Sequence, residues 1–192
     1  MNDWIVAESK SLTQEEMRNN VSILWNFYGS KGWTANAVAA LAGNMEAEST
    51  INPGRWENDI VGNLSGGFGL TQWTPATKLR QWVHSYYNSE DYTNGYYQMN
   101  RIIWEMVKGE QYYPTISYPE TFKEWSESNK DVGYLAEAFL VNYERPTDQS
   151  QAVKNYRATL ANKWYEFITE LPAPPYSNIP IWLLFKFKKG VV

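Results

Sequence analysis

Two glutamates two residues apart stand near the end of the stretch "GNMEAESTINP", residues 43–53, where a helical pattern runs into Asn-Pro. Val38, Leu41 and Met45 mark an apolar face at about 100° per residue, with Glu48 close to that face and Glu46 well off it. Glu48 is therefore expected to point inward. Burial and the negative end of the helix dipole would then both favour its protonated form. An acid that keeps its proton near neutral pH can protonate a poor leaving group such as a glycosidic oxygen. The same periodicity also fits a glutamate that frays outward into water as the helix ends.

The elements that must position this acid are mostly helical. "LTQEEM" opens the first, with Thr13 and Glu16 as a capping box and Leu12 with Met17 as its hydrophobic staple. Met17, Val21, Leu24 and Tyr28 recur at helical spacing until "GSKG" stops the run. Thr34 is the expected N-cap of the next helix, which carries Glu48, with Trp33 and Val38 as its staple. Residues 52–75 are rich in Gly, Asn and Pro and read as an irregular segment with a small hairpin across "VGNLSGGFGLTQW". Further helices are expected over 76–87, 97–109, 119–127, 131–144 and 151–168, the last with Val153, Tyr156, Leu160, Trp164 and Phe167 as its apolar stripe. "LPAPPYSNIP" then disfavours helix and reads as a linker over 171–180. The domain would cover 1–170, and 181–192 would be an apolar, basic tail or the stub of a further domain.

Composition narrows the chemistry. The 192 residues are 43% hydrophobic and 20% charged, which fits one ordinary globular domain with a substantial core. A net charge of −4 gives no electrostatic footprint for nucleic acid. With no cysteine, thiolate nucleophiles, disulfides and cysteine-bound metals are excluded; one histidine, His84, is too few for a His-rich metal site, so no cofactor or metal is expected. His84 itself reads as an incidental helix residue. The N-terminus lacks the basic and apolar runs of a secretory signal. Ten Trp and fourteen Tyr suit surfaces that hold sugars or partner proteins, or else a tryptophan-rich core.

"ESTINP" at 48–53 followed by "SGGFGLTQWTP" at 65–75 resembles the lysozyme superfamily, in which a helix-terminal Glu-Ser precedes a Gly-Leu-x-Gln segment, as in goose-type lysozymes and soluble lytic transglycosylases. "GNMEAESTINPGRW", "GFGLTQWTP" and "FLVNYERP" together are similar to the lysozyme domain of phage tail lysins, over roughly residues 10–168. That resemblance implies a mainly α, lysozyme-like fold acting on the glycan strand of bacterial peptidoglycan, with Glu48 as the catalytic acid. It implies a virion location in a phage tail, outside the host cell, with other tail proteins as partners. Beside it, Gly66, Gly67 and Gly69 would let a flat sugar approach the backbone, or serve a tight turn. Gln72 offers an amide suited to an N-acetyl or hydroxyl group. Trp73 would support a sugar, wall the pocket or fill the core. Ser49 would orient Glu48 or cap the chain exit. Tyr143 resembles a cleft tyrosine whose hydroxyl reaches the acid, or is the last apolar position of its helix. Glu144 reads as a solvated residue or a partner for Arg145.

A second carboxylate is less defined. Retaining glycosidases hold two carboxyl groups roughly 5 Å apart and inverting ones roughly 6.5–9.5 Å apart. Asp59 and Glu57 lie in the loop expected to face the cleft, and Asp59 is the candidate taken here. A lytic transglycosylase needs one acid only, because the substrate's 6-hydroxyl attacks. A hydrolytic muramidase is the preferred expectation, with the transglycosylase and a non-catalytic virion or glycan-binding module as alternatives. The tail from Ile181 is too short to span a bilayer but could rest at a membrane interface.

Overall fold

Helices begin where side chains take up their first free backbone N–H groups. In a computed structural model of the chain, which describes residues 3–174, Thr13 and Glu16 close the capping box of α1 (Gln14–Gly29). Thr34 accepts from the Ala37 N–H to open α2 (Ala35–Ser49). Leu12, Met17, Val21, Leu24, Tyr28, Trp33 and Val38 are all buried, as their spacing predicts. A 3₁₀ turn at Glu57–Asp59 precedes α3 (Thr77–Tyr87), α4 (Gly95–Lys108), α5 (Phe122–Ser126), α6 (Val132–Phe139) and α7 (Gln151–Glu170). Asn94, the pair Thr121 and Glu124, and Asp131 cap α4, α5 and α6. The helix expected over 131–144 changes character at Leu140–Glu144, a π-helical turn closed by the Arg145 N–H on the Leu140 carbonyl at 2.8 Å.

At the centre lies α2, packed by α1, α6 and α7. Every residue from Ala37 to Met45 is buried. A helix enclosed on all sides has no outer face, so the wheel that set Glu46 apart from Glu48 does not hold. The approach to α7 is close. A Cβ added to Gly43 would lie 2.5 Å from the Ala161 nitrogen and 2.7 Å from its Cα. This contact selects the buried face of α7, which is Arg157, Ala161, Trp164 and Ile168. The apolar stripe expected there shares only Trp164 with it, and Tyr156 is 55% exposed. The small side chain of Ala161 fits against Gly43, whereas a larger side chain would hold the helices apart. Arg157 is buried because it is paired, which hydropathy does not register.

The segment from Thr50 to Ala76 has almost no strand. The expected hairpin appears as two isolated antiparallel bridges, Trp56 with Phe68 and Phe68 with Trp73. Its buried backbone groups need partners all the same, and side-chain amides supply many of them. Asn20 Nδ2 donates to the Ile51 carbonyl at 3.0 Å, Gln98 Nε2 donates to the Pro53 carbonyl at 2.8 Å, and Asn52 Oδ1 accepts from the Gly54 N–H at 2.9 Å while its Nδ2 ties the segment to the Ala7 and Lys10 carbonyls at 2.7 Å each. Gln98 Oε1 accepts from the Leu70 N–H at 2.9 Å. The chain leaves α2 through Thr50 and Ile51, both left-handed at φ 55° and 54°. β-branched residues resist that conformation, so the exit beside Glu48 is strained and held by its surroundings.

The abundant aromatics mostly fill the core: Trp33, Trp56, Trp73, Trp82, Trp125 and Trp164 are buried. At the C-terminal end, Trp25 Nε1 donates to the Pro172 carbonyl at 3.1 Å, so the proline-rich stretch begins by packing on α1. The expected tail at 181–192 lies outside the described residues. Among the described residues no helix is long and apolar enough to cross a membrane.

If the Gly43–Ala161 contact sets the α2–α7 spacing, Gly43→Ala should lower stability by about 1–3 kcal/mol through overpacking. Denaturant unfolding measures this. An unchanged midpoint would mean that the helices are not in backbone contact there.

Candidate active site

A cleft of about 880 Å³ opens at the C-terminal end of α2. Glu48 lies on one side. Arg55, Trp56, Glu57, Asn58 and Asp59 come from the turn after α2, Gly67, Gln72 and Thr74 from the glycine-rich loop, and Glu144, Arg145, Pro146 and Thr147 from the turn after α6. A smaller cavity of about 250 Å³ shares Gln72, Thr74, Glu144 and Arg145 with it and adds Trp73, Lys78, Gln111 and Tyr143. The cleft is thus rich in charge of both signs, with four carboxyl side chains against two guanidinium groups on its walls.

Glu48 does not stand alone in apolar surroundings, as the helical periodicity implies. Its Oε1 accepts from Arg157 Nη2, while Arg157 Nη1 donates to the Asn44 carbonyl at 2.8 Å. The side chains of Arg157 and Glu48 are 9% and 21% exposed. Glu46 is the more enclosed of the two glutamates at 13%, with Lys163 Nζ at 2.6 Å from its Oε1 and Trp164 Nε1 donating to its Oε2 at 2.6 Å. Both acids face α7. The partners lie more than a hundred residues along the chain, where no local pattern reveals them.

Several residues expected to touch a ligand serve the frame instead. Ser49 is buried, and its hydroxyl donates to the Met45 and Leu70 carbonyls at 3.0 Å each; it ties α2 to the glycine-rich loop and turns away from Glu48. Gly69, at φ 81°, is backed by Gln98, whose Oε1 would meet a Cβ at 2.6 Å, and it does not line the cleft. Tyr143 and Trp73 are 1% and 4% exposed. Their polar tips meet at Glu105, with Tyr143 Oη donating at 2.5 Å and Trp73 Nε1 at 3.0 Å, and Arg101 Nε donating at 2.8 Å. The Tyr143 hydroxyl therefore reaches a buried acid on α4, not Glu48. Burial raises the pKa of Glu105, against the opposing pull of Arg101, Tyr143 and Trp73. Glu105 gave no motif to follow.

Beside Glu48, three more of the expected site residues line the cleft. Gly67 presents its backbone there, its N–H donating to Glu57 Oε2 at 2.7 Å. Gln72 lies behind it with its Nε2 donating to the Gly69 and Arg55 carbonyls at 2.9 and 3.2 Å. Asp59 is 54% exposed and bridges Arg55 Nη2 at 3.2 Å, with Ser9 Oγ donating at 2.9 Å. His84 is on the surface against Glu90, apart from the cleft. Among the described residues no group of three or more His, Cys, Asp or Glu side chains is arranged to hold a metal ion.

Glu144 is the residue that the sequence reading misplaced. It is half-buried rather than freely solvated, and it makes no ion pair with Arg145. It lines the cleft with Glu48, and its Oε1 is buried without a hydrogen-bond partner. Burial first, and then the Glu48 charge, push its pKa well above the ordinary carboxylate range, with Arg157 opposing. The π turn gives it this position, and no sequence periodicity marks such a turn.

Residues 19–168 match the phage tail lysozyme family. The chain is also similar to morphogenesis protein 1 of Bacillus phage B103, at 41% identity over 163 residues, covering 85% of this chain and 43% of that protein. It thus spans less than half the length of that relative.

The Glu105 cluster yields a stability test. Glu105→Ala strips a buried acceptor from Arg101, Trp73 and Tyr143 and should cost about 3–5 kcal/mol. Tyr143→Phe removes one donor and should cost about 1–3 kcal/mol. Chemical denaturation of both variants measures the cluster; equal, negligible losses would show that these groups are not coupled.

Proposed function

The chain belongs to the phage tail lysozyme family, and on that premise we propose that it is a muramidase that cuts the glycan strand of peptidoglycan from a phage tail during genome delivery. The observation that supports this most is the position of Glu48, at the end of α2 on the wall of the 880 Å³ cleft. Glu48 is the acid that protonates the glycosidic oxygen. Its pairing with Arg157 fixes the carboxyl group in place on the cleft wall.

The side-chain-free surface of Gly67 and the Oε1 of Gln72 are the sugar-facing groups on the opposite wall, since the Gly67 N–H and the Gln72 Nε2 are already engaged within the loop. Asp59, from the turn that also carries Glu57, is the carboxylate that directs the attacking water. In this reading the products end in reducing N-acetylmuramic acid. A lytic transglycosylase would use the same Glu48 and leave anhydro ends, without need of Asp59. Other tail proteins are the expected assembly partners.

Glu48→Gln should reduce cell-wall clearing by at least about two orders of magnitude. Glu46→Gln is the matched comparison, because it also takes a carboxylate from a cation on α7 and reproduces the structural cost without the chemistry. Equal clearing by the two variants would remove Glu48 from the reaction. Mass analysis of wild-type digests decides the mechanism: reducing muramic ends, with strong loss in Asp59→Asn, support hydrolysis, whereas anhydro ends make the chain a transglycosylase.

A further inference from the structure

One charged group in the cleft has an unmet hydrogen-bonding capacity on each side of it. Arg157 uses Nη1 and Nη2, but its Nε–H is buried with no partner. Glu144 Oε1 is likewise buried with no partner. Native interiors rarely leave such atoms unpaired without a functional or solvent-filled reason. These two belong to groups that share the Glu48 carboxylate as a neighbour, one through a direct bond and the other through charge.

We propose that Glu144 and Glu48 hold one proton between them, with Glu144 keeping it in the empty cleft and passing it to Glu48 when a glycan enters. The inference rests on the glycosidase reading above, but not on whether water or the 6-hydroxyl attacks. Glu144 acts through Glu48 and is a positioning residue for the proton.

The charges around Glu144 support this arrangement. Glu48 on α2 and Glu105 on α4 disfavour its carboxylate, whereas Arg157 on α7 and Arg145 at the end of its own turn favour it. Across the cleft stand Arg55, Glu57 and Asp59, and Lys78 on α3 and Tyr143 line the smaller cavity with Glu144, neither of them bonded to it. Two carboxylates that line one cleft repel each other when both are ionised, so the proton stays with the one that lacks a cation in direct contact. Glu48 has that cation, and Glu144 is the holder.

The proton count closes. As the O–H bond of Glu144 breaks, one forms on Glu48, and the new Glu144 carboxylate is favoured by the charge of Arg157. Glu48 then gives the proton to the glycosidic oxygen as the C–O bond breaks with its electron pair going to that oxygen. The nucleophile adds its oxygen to the sugar carbon and releases one proton, which returns to the pair. Either attacking hydroxyl, of water or of the substrate, restores the starting state.

Glu144→Gln tests this, because an uncharged amide replaces an uncharged acid of similar shape and the chain should still fold. In the full chain acting on purified peptidoglycan, the variant should have the basic limb of its pH–rate profile moved to lower pH by about one unit or more, since the second carboxylate that helps to retain the shared proton is gone. Glu144→Asp, which still titrates, should bring the limb back toward the wild-type position. A uniform rate loss with an unmoved limb would overturn the proposal. A second readout needs no activity. A raised folded pKa means that stability is present at acid pH and is lost as pH rises from the unfolded toward the folded value. Thermal midpoints of wild type and Glu144→Gln should therefore differ little at pH 4, and the variant should gain on wild type as pH rises. A constant difference across pH would deny the stored proton. If wild type cleaves no glycan while the thermal difference grows with pH, the pair stands and the glycosidase reading fails.

Discussion

A guanidinium buried between two helices must find acceptors there or the helices cannot meet. Arg157 finds them at the C-terminal end of α2, in the Asn44 carbonyl and the Glu48 carboxylate. A cation near the C-terminal end of a helix is favoured by the helix dipole, so the pairing also suits α2. The Gly43–Ala161 contact brings the two backbones close enough for that reach. Fold and site therefore share one constraint: the packing that centres α2 in the core is the packing that fixes Glu48 at the cleft.

The opposite wall of the cleft depends on a different device. The glycine-rich segment lacks the ladder of hydrogen bonds that would make it a sheet, and its rigidity comes from Asn20, Asn52 and Gln98 inserted between its turns. Ser49 joins this wall to α2 through the Leu70 carbonyl. Trp73 is held from beneath by Glu105, which also anchors Tyr143 at the end of α6. A buried acid with three donors is stable only when all are in place, so it ties three separate chain segments to one geometry.

Local signals in the sequence located the helices well. Thr13 with Glu16, and Thr34, act within a few residues of themselves, and so the starts of α1 and α2 were legible. The family resemblance found Glu48 and the segment that carries Gly67 and Gln72. What could not be read was set by distant contacts. Arg157 counts as polar in any hydropathy pattern, yet it defines the buried face of α7 because Glu48 lies opposite. Glu46 was put on an outer face that α2 does not have. Ser49, Gly69, Trp73 and Tyr143 have residue types that suit a sugar site, but their partners at Leu70, Gln98 and Glu105 draw them inward. Glu144 was hidden by the π turn, which shifts side-chain direction relative to the α-helix expected over the same residues.

That turn explains why the carboxyl groups can coexist. Glu48, Glu105 and Glu144 come from α2, α4 and the end of α6, and Arg157, Arg101 and Arg145 stand near them. The arginines are not evenly engaged. Glu48 and Glu105 each have one in direct contact, whereas Arg145 Nη1 is spent on the carbonyls of Gln111 and Asn142. Glu144 is left with field but no hydrogen bond to its buried Oε1, and a half-buried carboxyl in that position lowers its energy by staying neutral. A further cation at Glu144 would relieve the crowding equally well as a matter of stability. It would also hold the group ionised and leave the cleft with no proton to give. For the glycosidase chemistry proposed above, the arrangement with one acid unpaired is the one that keeps a proton available in the cleft.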